Sequence, residues 1–322
     1  MSELRIGLIG GTGLGEALGA ESGHRHEIDT PFGKPSDAIV ETQWAGVKTL
    51  ILSRHGPGHL LNPTQVPYRA NIFALKKLGC THILASGAVG SLREEFRPQD
   101  LVLPDQVIDK THKRPATFFE RAAVHVEFAE PFDPILRQIL QEAALPLPTG
   151  EGKGEGDTTG ASHSAPHTIH SRGCYVCMEG PAFSTRAESL MHRLWGGDLI
   201  GMTAMPEAKL AREAEIPYAL IALVTDYDCW RAKPASAGAL EHDKVDPFIL
   251  LKEILGNVKA ATANAIRLMR RAVEAMAANP QRLDACPALH ALQLGIWSDK
   301  TKIDPEEIER LRPLWGKYFE SR

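Results

Sequence analysis

The sequence predicts an α/β fold in which helices flank a central sheet. Short apolar runs typical of strands alternate with segments of helical spacing along most of the 322-residue chain. Several of these runs end in glycine-rich turns, as the strands of a mainly parallel sheet often do. The run at residues 218–224 is apolar throughout, which is typical of a central strand covered on both faces. We therefore expect a twisted, mixed or mostly parallel sheet between helices.

Local patterns predict the individual elements. The dipeptide Ala45-Gly46 predicts a hairpin turn, and Thr185 followed by Glu188 is a capping-box pattern that opens a helix. Gly79 is expected just beyond the end of another helix. The predicted strands cover residues 4–9, 38–42, 47–52, 82–86, 101–103, 174–178, 198–202 and 218–224. The predicted helices cover residues 67–78, 134–144, 185–195, 206–215 and 246–277.

Two segments depart from this alternation. Residues 149–171 are rich in Gly, Ser, Thr and His and have almost no large apolar side chain, so we interpret them as a mobile surface insertion. Its histidines (His163, His167 and His170) have spacing compatible with metal ligation, but such a loop lacks the rigid surroundings that ligands need. We expect one domain at residues 1–303. Residues 304–322 are predicted to form a short helical extension after it, with Asp304 as the helix cap.

Composition limits the class of function. The net charge of −4 and a pI near 6.4 give no basic footprint for general nucleic-acid binding. Five cysteines without a framework spacing indicate reduced thiols and a cytoplasmic protein, and Cys174 and Cys177 are interpreted as buried strand cysteines. The chain begins with a strand pattern rather than a secretory signal, and its apolar stretches are too short to span a membrane.

The first chemical motif is the glycine-rich turn IGGTGLG. After a strand, such glycines let backbone N–H groups converge on an anion, and Thr12 adds a hydroxyl donor. A dinucleotide-binding unit begins in a similar way, which keeps an NAD-dependent oxidoreductase as an alternative. However, Glu16 occupies the position of the third glycine of that motif, and the following segment is too broken by glycine for a good packing helix. A plain tight turn is the third interpretation.

Further candidate ligands follow other strands. Arg54 and His55, in SRHGPGH, are suited to bind an oxyanion, although a solvated cationic loop is the simpler alternative. Gly87 and Ala88, in ASGAVGSL, allow the backbone to approach a ligand closely. In open α/β sheets, ligands gather beyond the carboxyl ends of the strands.

Two more motifs suggest a purine site. Phe183, in MEGPAFSTR, lies in a turn where a ring can stack on a base. Met202 and Thr203 follow a strand, although Met202 is equally compatible with an ordinary core residue. Asp226 and Asp228, in VTDYDCW, emerge from a buried strand, where carboxylates are costly unless they are used. They suit the exocyclic amine and N7 of adenine better than a metal ion, because no histidine stands at a natural spacing.

Together these motifs resemble the methylthioadenosine phosphorylase branch of the trimeric purine nucleoside phosphorylase family. The resemblance runs from about residue 6 to about residue 268, apart from the predicted insertion. The stretches DTPFGKPSDA, GCTHILASGAVGSLREE, AEPFDP and TDYDCW carry it. It implies a single-domain phosphorylase fold with a central twisted mixed sheet flanked by helices, no metal or organic cofactor, and a homotrimer with active sites near the subunit interfaces.

The resemblance also implies roles for individual residues. The phosphate co-substrate is expected to contact Thr12, Arg54, His55, Gly87, Ala88 and Thr203. Phe183 and Met202 are expected at the base and ribose, and Asp226 and Asp228 at the purine, with catalytic roles. Substrate specificity is expected to depend on Ser184, His125 and Val245, of which His125 reaches in from the neighbouring subunit. Related enzymes for 6-oxopurines have asparagine at the position of Asp226, which favours a 6-aminopurine here.

The sequence departs from the family at several positions. Gly87 replaces a phosphate-binding threonine of some relatives, so Ser86 or a backbone N–H is expected to serve instead. Gly201 replaces an asparagine and Ala182 an arginine, and residues 245–251 around the 5′ pocket align poorly. The expected reaction is phosphorolysis of methylthioadenosine. The alternatives are the same fold acting on methylthioinosine or 6-oxopurine nucleosides, and a binding protein that has lost turnover.

Overall fold

The structure, a computed structural model, describes residues 3–11, 14–19, 22–144, 168–231 and 247–319. These residues contain one sheet of eleven strands. The strands are β1 (Arg5–Gly10), β2 (His24–His26), β3 (Ile39–Trp44), β4 (Val47–Ser53), β5 (His82–Ser91), β6 (Leu101–Val102), β7 (Gln106–Asp109), β8 (Ile169–His170), β9 (Cys174–Cys177), β10 (Leu199–Gly201) and β11 (Tyr218–Tyr227). The helices are α1 (Leu14–Gly19), α2 (Tyr68–Lys77), α3 (Pro134–Ala144), α4 (Arg186–Leu194), α5 (Ala204–Glu213), α6 (Pro247–Ala278), α7 (Pro305–Arg310) and α8 (Arg312–Trp315).

The predicted mixed sheet is confirmed. Strands β1, β4, β5 and β11 run parallel to one another, whereas β10 runs antiparallel to β5. Strand β5 is the junction of the sheet, because it pairs with β1, with β11 and, near its end, with β10. The carboxyl ends of the four parallel strands therefore lie along one edge of the sheet.

Helices cover both faces of the sheet, as the apolar central strand predicts. In β11, Leu220 and Ala222 pack into a core with residues of α2 and α5, whereas Ala219 and Ile221 pack into a second core with residues of α3 and α6. Successive residues of a strand point to opposite faces. A strand that is buried on both sides must therefore be apolar at every position, as β11 is between Tyr218 and Val224.

The predicted turns and caps are confirmed where the structure describes them. Ala45 and Gly46 have positive φ angles of 51° and 77° at the turn between β3 and β4. Thr185 and Glu188 form the reciprocal hydrogen bonds of a capping box at the start of α4. Gly79, with a φ of 78°, follows the end of α2.

Two predictions about local structure were wrong. Strand β5 was expected to end at Ser86 in a glycine-rich loop, but it continues to Ser91 because β11 pairs with it over its whole length. The segment after the first glycine turn was expected to be too rich in glycine to form a packing helix. Instead, α1 buries Leu14 and Leu18 against the sheet.

The predicted insertion at residues 149–171 lies mostly outside the described residues, and so do His163 and His167. Its final residues are described, and Ile169–His170 forms β8, parallel to β6. The His170 ring lies 2.9 Å from the carboxylate of Asp100. This end of the segment is therefore part of the sheet rather than a free surface loop.

The C-terminal residues pack against the rest of the chain. The Asp304 side chain accepts a hydrogen bond from the Glu306 N–H, which confirms the predicted cap of α7. Trp315 is fully buried, and its ring centroid lies 4.8 Å from that of Phe119. The segment thus completes the core on one face of the sheet. Among the described residues, no helix combines the length and apolarity that a membrane span requires.

Candidate active site

The glycine-rich turn after β1 meets the middle of β5. The Gly11 N–H lies 3.5 Å from the Ser86 hydroxyl. A Cβ atom on Gly11 would come within 2.8 Å of Arg54 Nη1 and 2.9 Å of the Ser86 carbonyl. Only glycine fits at this position, because both neighbours are fixed. The ends of β1 and β4 and the middle of β5 are therefore in contact here.

The antiparallel direction of β10 brings a fourth segment to the same place. Leu199 pairs with Ser91 and Ile200 with Gly90, so the chain after β10 runs back along β5. A Cβ on Gly87 would lie 3.4 Å from the hydroxyl of Thr203, an ordinary contact distance. The structure thus assembles three of the predicted phosphate contacts (Arg54, Gly87 and Thr203) around one small region, together with Gly11 of the glycine-rich turn. Ala88 follows Gly87 on the same strand.

Arg54 in this region forms a buried ion pair. Its Nε and Nη2 atoms each donate to the carboxylate of Glu207 at 2.7 Å, and Nη1 donates to the Ser86 carbonyl at 2.7 Å. Neither side chain of the pair is exposed. Burial alone would lower the pKa of Arg54, but the charge of Glu207 outweighs it and raises the pKa above its ordinary value. Arg54 is therefore a permanent cation with a fixed orientation.

His55 is neutral at physiological pH. Burial, followed by the charge of Arg54, lowers the pKa of His55 to about 4. Its Nδ1 lies 2.8 Å from the Leu61 carbonyl, which only accepts hydrogen bonds, so Nδ1 carries the proton. The Nε2 atom of the neutral ring is consequently an acceptor. His55 also lines a cavity of about 380 Å³ together with residues such as Lys34, Ser36 and Gln65.

The two predicted purine ligands, Asp226 and Asp228, come directly after a register shift in β11. The register with β5 shifts between Val224 and Asp226. Both carboxylates are half-buried. Asp226 Oδ1 accepts a hydrogen bond from the Thr225 hydroxyl at 2.6 Å, and the Asp228 N–H donates to the Ser91 carbonyl at 3.0 Å. Asp228 Oδ2 is buried and has no hydrogen-bond partner among the described residues. A buried acceptor in this state is expected to meet a donor from a ligand or water.

The loop between β9 and α4 lies beside this carboxylate segment. The Ser184 carbonyl accepts a hydrogen bond from Cys229 Sγ at 3.3 Å, so Ser184 is next to the residue that follows Asp228. Phe183 is 86% exposed in the isolated chain, and its ring is therefore accessible to a ligand. The structure thus brings Phe183 and Ser184 to the segment that holds Asp226 and Asp228.

One predicted site residue among those that the structure describes, His125, is not assembled with the others. Thr12 and Val245 lie outside the described residues. His125 is exposed, and its ring centroid lies 4.5 Å from that of Trp297, but none of its described contacts is to another predicted site residue. That His125 serves a neighbouring subunit stays a prediction.

The structure explains one departure from the family pattern. At Gly201, a Cβ would lie 2.0 Å from the hydroxyl of Tyr175, so the asparagine of some relatives does not fit in this chain. Tyr175 is fully buried, and its hydroxyl accepts the Thr203 N–H at 3.3 Å. The tyrosine therefore occupies the space of the missing side chain and supports the adjacent peptide.

Sequence reasoning missed the residues that support the site. Glu207 has a usable signal, because a carboxylate on the buried face of an apolar helix requires a cation or donor. Tyr175 has none, because an aromatic residue in a strand is normally a core residue. Arg114 also has none, because it stands in an irregular segment without periodicity.

The chain is similar to known proteins over nearly its whole length. The model of the phosphorylase superfamily matches residues 5–274. The S-methyl-5′-thioadenosine phosphorylase of Synechocystis sp. is 43% identical over 98% of this chain and 87% of its own length. A methylthioadenosine phosphorylase crystal structure from an Antarctic soil metagenomic library has a TM-score of 0.79 at 38% identity, covering 98% of this chain and 99% of that one. The Schistosoma mansoni methylthioadenosine phosphorylase in complex with adenine has a TM-score of 0.76 at 35% identity, covering 92% and 99%.

Proposed function

Because this chain belongs to the phosphorylase superfamily, we propose that it is a purine nucleoside phosphorylase of the methylthioadenosine type. It is a pentosyltransferase that converts S-methyl-5′-thioadenosine and inorganic phosphate to adenine and 5-methylthioribose 1-phosphate. Relatives named for this activity match nearly the whole chain at about 40% identity. A structural neighbour binds adenine.

The observation that carries the proposal is the meeting of Gly11, Arg54, Gly87 and Thr203 next to the segment of Asp226 and Asp228. It offers a cation, a hydroxyl and glycine backbone on one side and two carboxylates on the other. The first set suits phosphate, and the second suits the donors of a purine ring. Because the chain is net acidic, the phosphate must be attracted by this local cation rather than by a global field.

In the proposed reaction, the bond between ribose and purine lengthens first and the sugar becomes cationic. Asp226 carries or shares a proton at N7, which makes adenine a better leaving group, and Asp228 accepts from the exocyclic amine. Met202 holds the ribose hydroxyls through its backbone, and Phe183 lies against the base or sugar. Phosphate then attacks the anomeric carbon, while its negative charge stabilises the sugar cation.

On the phosphate side, two N–H groups of Arg54 beyond those bonded to Glu207 and Ser86 meet the anion. His55 supports this arrangement as a neutral ring. Its Nε2 atom accepts a hydrogen bond from a protonated oxygen of phosphate, because its Nδ1 proton is already directed to Leu61. Most of the acceleration comes from holding two substrates together, an effect worth roughly 7–11 kcal/mol.

The finer features of the proposal come from the family resemblance. In keeping with that resemblance, neither a metal ion nor an organic cofactor takes part, and inorganic phosphate is the co-substrate. The enzyme is a cytoplasmic homotrimer without nucleic-acid or membrane partners. Its active sites lie near subunit interfaces, where the exposed His125 reaches the 5′ group of a substrate bound to the neighbouring subunit. Thr12, Ala88, Ser184 and Val245 complete the phosphate and specificity sites.

The first experiment measures base release from methylthioadenosine with and without inorganic phosphate. Release of adenine that requires phosphate and yields a sugar 1-phosphate is the expected result. In parallel, methylthioinosine and inosine test the alternative of a 6-oxopurine substrate. Release from these nucleosides but not from methylthioadenosine would keep the phosphate site and overturn the assignment of Asp226 and Asp228. The absence of release from all of them would refute the proposed activity.

A further inference from the structure

Arg114 connects the loops that follow two different strands. Its side chain is only 1% exposed. Nη1 donates to the carbonyls of Met202 at 2.6 Å and Met205 at 2.7 Å, and to the Tyr68 hydroxyl at 3.2 Å. Nε donates to the Glu179 carboxylate at 3.1 Å, and Nη2 donates to the Glu179 carbonyl. Every nitrogen of the guanidinium is therefore engaged with a segment of the proposed nucleoside site or its support.

The contact with Met202 fixes one peptide unit. The Met202 carbonyl and the Thr203 N–H belong to the same planar group. Arg114 binds the oxygen of this group, and the Tyr175 hydroxyl accepts from its nitrogen at 3.3 Å. A peptide held at both ends has little freedom to rotate. The direction of the Met202 backbone and the placement of the Thr203 side chain consequently depend on Arg114 and Tyr175.

The contact with Glu179 anchors the loop that carries Phe183. The Glu179 carboxylate also accepts hydrogen bonds from the Thr64 hydroxyl and from the N–H groups of His112 and Lys113. Burial raises the pKa of Glu179, but these hydrogen bonds and the Arg114 charge outweigh it and lower the pKa to about 2. Glu179 is thus an anion at physiological pH and a fixed attachment point for its loop.

The two loops also touch each other. A Cβ on Gly180 would lie 2.6 Å from Met202 Sδ, so the turn after Glu179 packs directly on Met202. Arg114 donates hydrogen bonds to both partners of this contact, to Glu179 at the start of the turn and to the Met202 carbonyl. The fork of a guanidinium reaches carbonyls and a carboxylate in different directions, which the single ammonium of lysine does not reproduce.

We propose that Arg114 is a positioning residue for the nucleoside, which sets the distance between the Phe183 loop and the Met202–Thr203 peptide. This inference rests on the proposed function. Phosphate depends less on Arg114, because Thr203 is only one of its proposed ligands and none of the described hydrogen bonds of Arg114 is to Gly11, Arg54 or Ser86.

The test compares Arg114→Met and Arg114→Lys with the wild-type enzyme in steady-state kinetics, varying methylthioadenosine and phosphate separately. We expect the KM for the nucleoside to rise at least tenfold and kcat to fall in both variants, with a smaller change in the KM for phosphate. Lysine is expected to recover thermal stability, because it keeps a charge beside Glu179, but not the nucleoside KM.

Arg137→Met is the matched control. Arg137 also donates to loop carbonyls, those of Ser171 at 2.6 Å and Leu103 at 3.5 Å, but it has no described bond to the site. We expect its kinetic constants to remain those of the wild type. If Arg114→Met lowers the melting temperature but keeps both KM values, or if Arg114→Lys recovers the nucleoside KM fully, the proposal is overturned.

Equilibrium binding of adenine separates this proposal from the proposed function. If the wild-type protein binds adenine but does not cleave methylthioadenosine, the activity is refuted, while weaker adenine binding by Arg114→Met than by Arg137→Met still supports the positioning role. Equal adenine affinity in these two variants overturns it. If the wild-type protein neither binds adenine nor cleaves the nucleoside, both proposals are overturned.

Discussion

The carboxylate of Glu207 meets the guanidinium of Arg54 edge to edge, with two N–O distances of 2.7 Å and no solvent exposure of either side chain. The Tyr218 hydroxyl donates to the same carboxylate at 2.8 Å. The orientation of Arg54, the proposed phosphate-binding arginine, is therefore fixed by Glu207, a buried residue of α5. A two-point contact of this kind fixes direction as well as charge.

Glu207→Gln is expected to raise the KM for phosphate about tenfold or more, because the amide no longer holds the guanidinium at two points. It is also expected to destabilise the protein, since breaking a buried ion pair typically costs about 3–5 kcal/mol. Steady-state kinetics with phosphate varied and thermal unfolding measure the two effects. Glu307→Gln is the control, because Glu307 is a buried partner of Arg310 in α7. An equal rise in phosphate KM in both variants would contradict the role of Glu207.

Gly87→Ser is expected to fold and to lower the KM for phosphate about three- to tenfold. A Cβ has room there, because it would lie 3.4 Å from Thr203 Oγ1. The new serine hydroxyl is expected to donate to phosphate, and a hydrogen bond to a charged group contributes about 1.5–3 kcal/mol before the cost of ordering the side chain is subtracted. Gly11→Ala, in contrast, is expected to abolish phosphate binding, because its methyl group would overlap Arg54 and the Ser86 carbonyl. Phosphate titrations of both variants test this. Similar behaviour of the two would show that the spacing around these glycines is misjudged.

Asp226→Asn is expected to reduce kcat for methylthioadenosine by about 10²–10⁴-fold, the usual size of a general acid effect. The affinity for phosphate should remain near the wild-type value, because the proposed role of Asp226 is at the purine, on the segment where its carboxylate accepts a hydrogen bond from the Thr225 hydroxyl. Rapid-quench kinetics and an equilibrium phosphate titration provide the two readouts. Loss of turnover and of phosphate affinity to the same extent would refute the assigned role.

His82→Gln is expected to make stability less dependent on pH between about 6.5 and 4. Burial lowers the pKa of His82 to about 4, so the folded state excludes a proton that the unfolded chain binds below pH 6.5. The contribution of His82 to the free energy of unfolding of the wild type is present above pH 6.5. It is lost as the pH falls to about 4, with a slope of at most about 1.4 kcal/mol per pH unit. Urea unfolding of the wild type and the variant across this range gives the difference in their free energies of unfolding. An identical pH dependence of the two proteins would contradict the lowered pKa of His82.

Glu213→Gln is expected to change the pH dependence of stability in the direction opposite to that of His82→Gln. Burial raises the pKa of Glu213 to about 7, so the wild-type contribution is present below the ordinary pKa of a glutamate and is lost as the pH rises through about 7. Glutamine keeps an acceptor for the Phe118 N–H but does not ionise. The stability of the variant relative to wild type should therefore increase between pH 4.5 and 7. A constant difference across that range would mean that Glu213 does not titrate in the folded protein.

The sequence was informative wherever a local pattern had one physical solution. The apolar run of β11, the capping box at Thr185 and the turn at Ala45 each follow from periodicity or backbone chemistry, and each is present. Gly11 lies directly after β1, as its motif predicted, whereas Gly87 was predicted to follow a strand and lies within β5. The direction of β10 and the extension of β5 to Ser91 depend on long-range pairing, which local pattern does not encode.

The supporting residues were harder to predict for a related reason. Arg114 acts through bonds to Glu179 and Met202, residues that are far from it in the chain, and no spacing links them. Tyr175 has the same pattern as a core residue, and only the structure shows its hydroxyl beside Gly201. Motifs predict residues that contact substrate, whereas the groups behind them are defined by packing.

The contact between Gly201 and Tyr175 also restricts the order in which this sequence can change. Any side chain at position 201 overlaps the tyrosine hydroxyl, whose distance to a Cβ there would be 2.0 Å. Replacing Tyr175 alone by a smaller residue removes the acceptor of the Thr203 N–H and leaves a cavity in the core. Neither single substitution is therefore neutral, and the two positions must change as a pair. A mutational path from this chain to one with asparagine at position 201 passes through a less fit intermediate, unless the tyrosine is replaced in the same step.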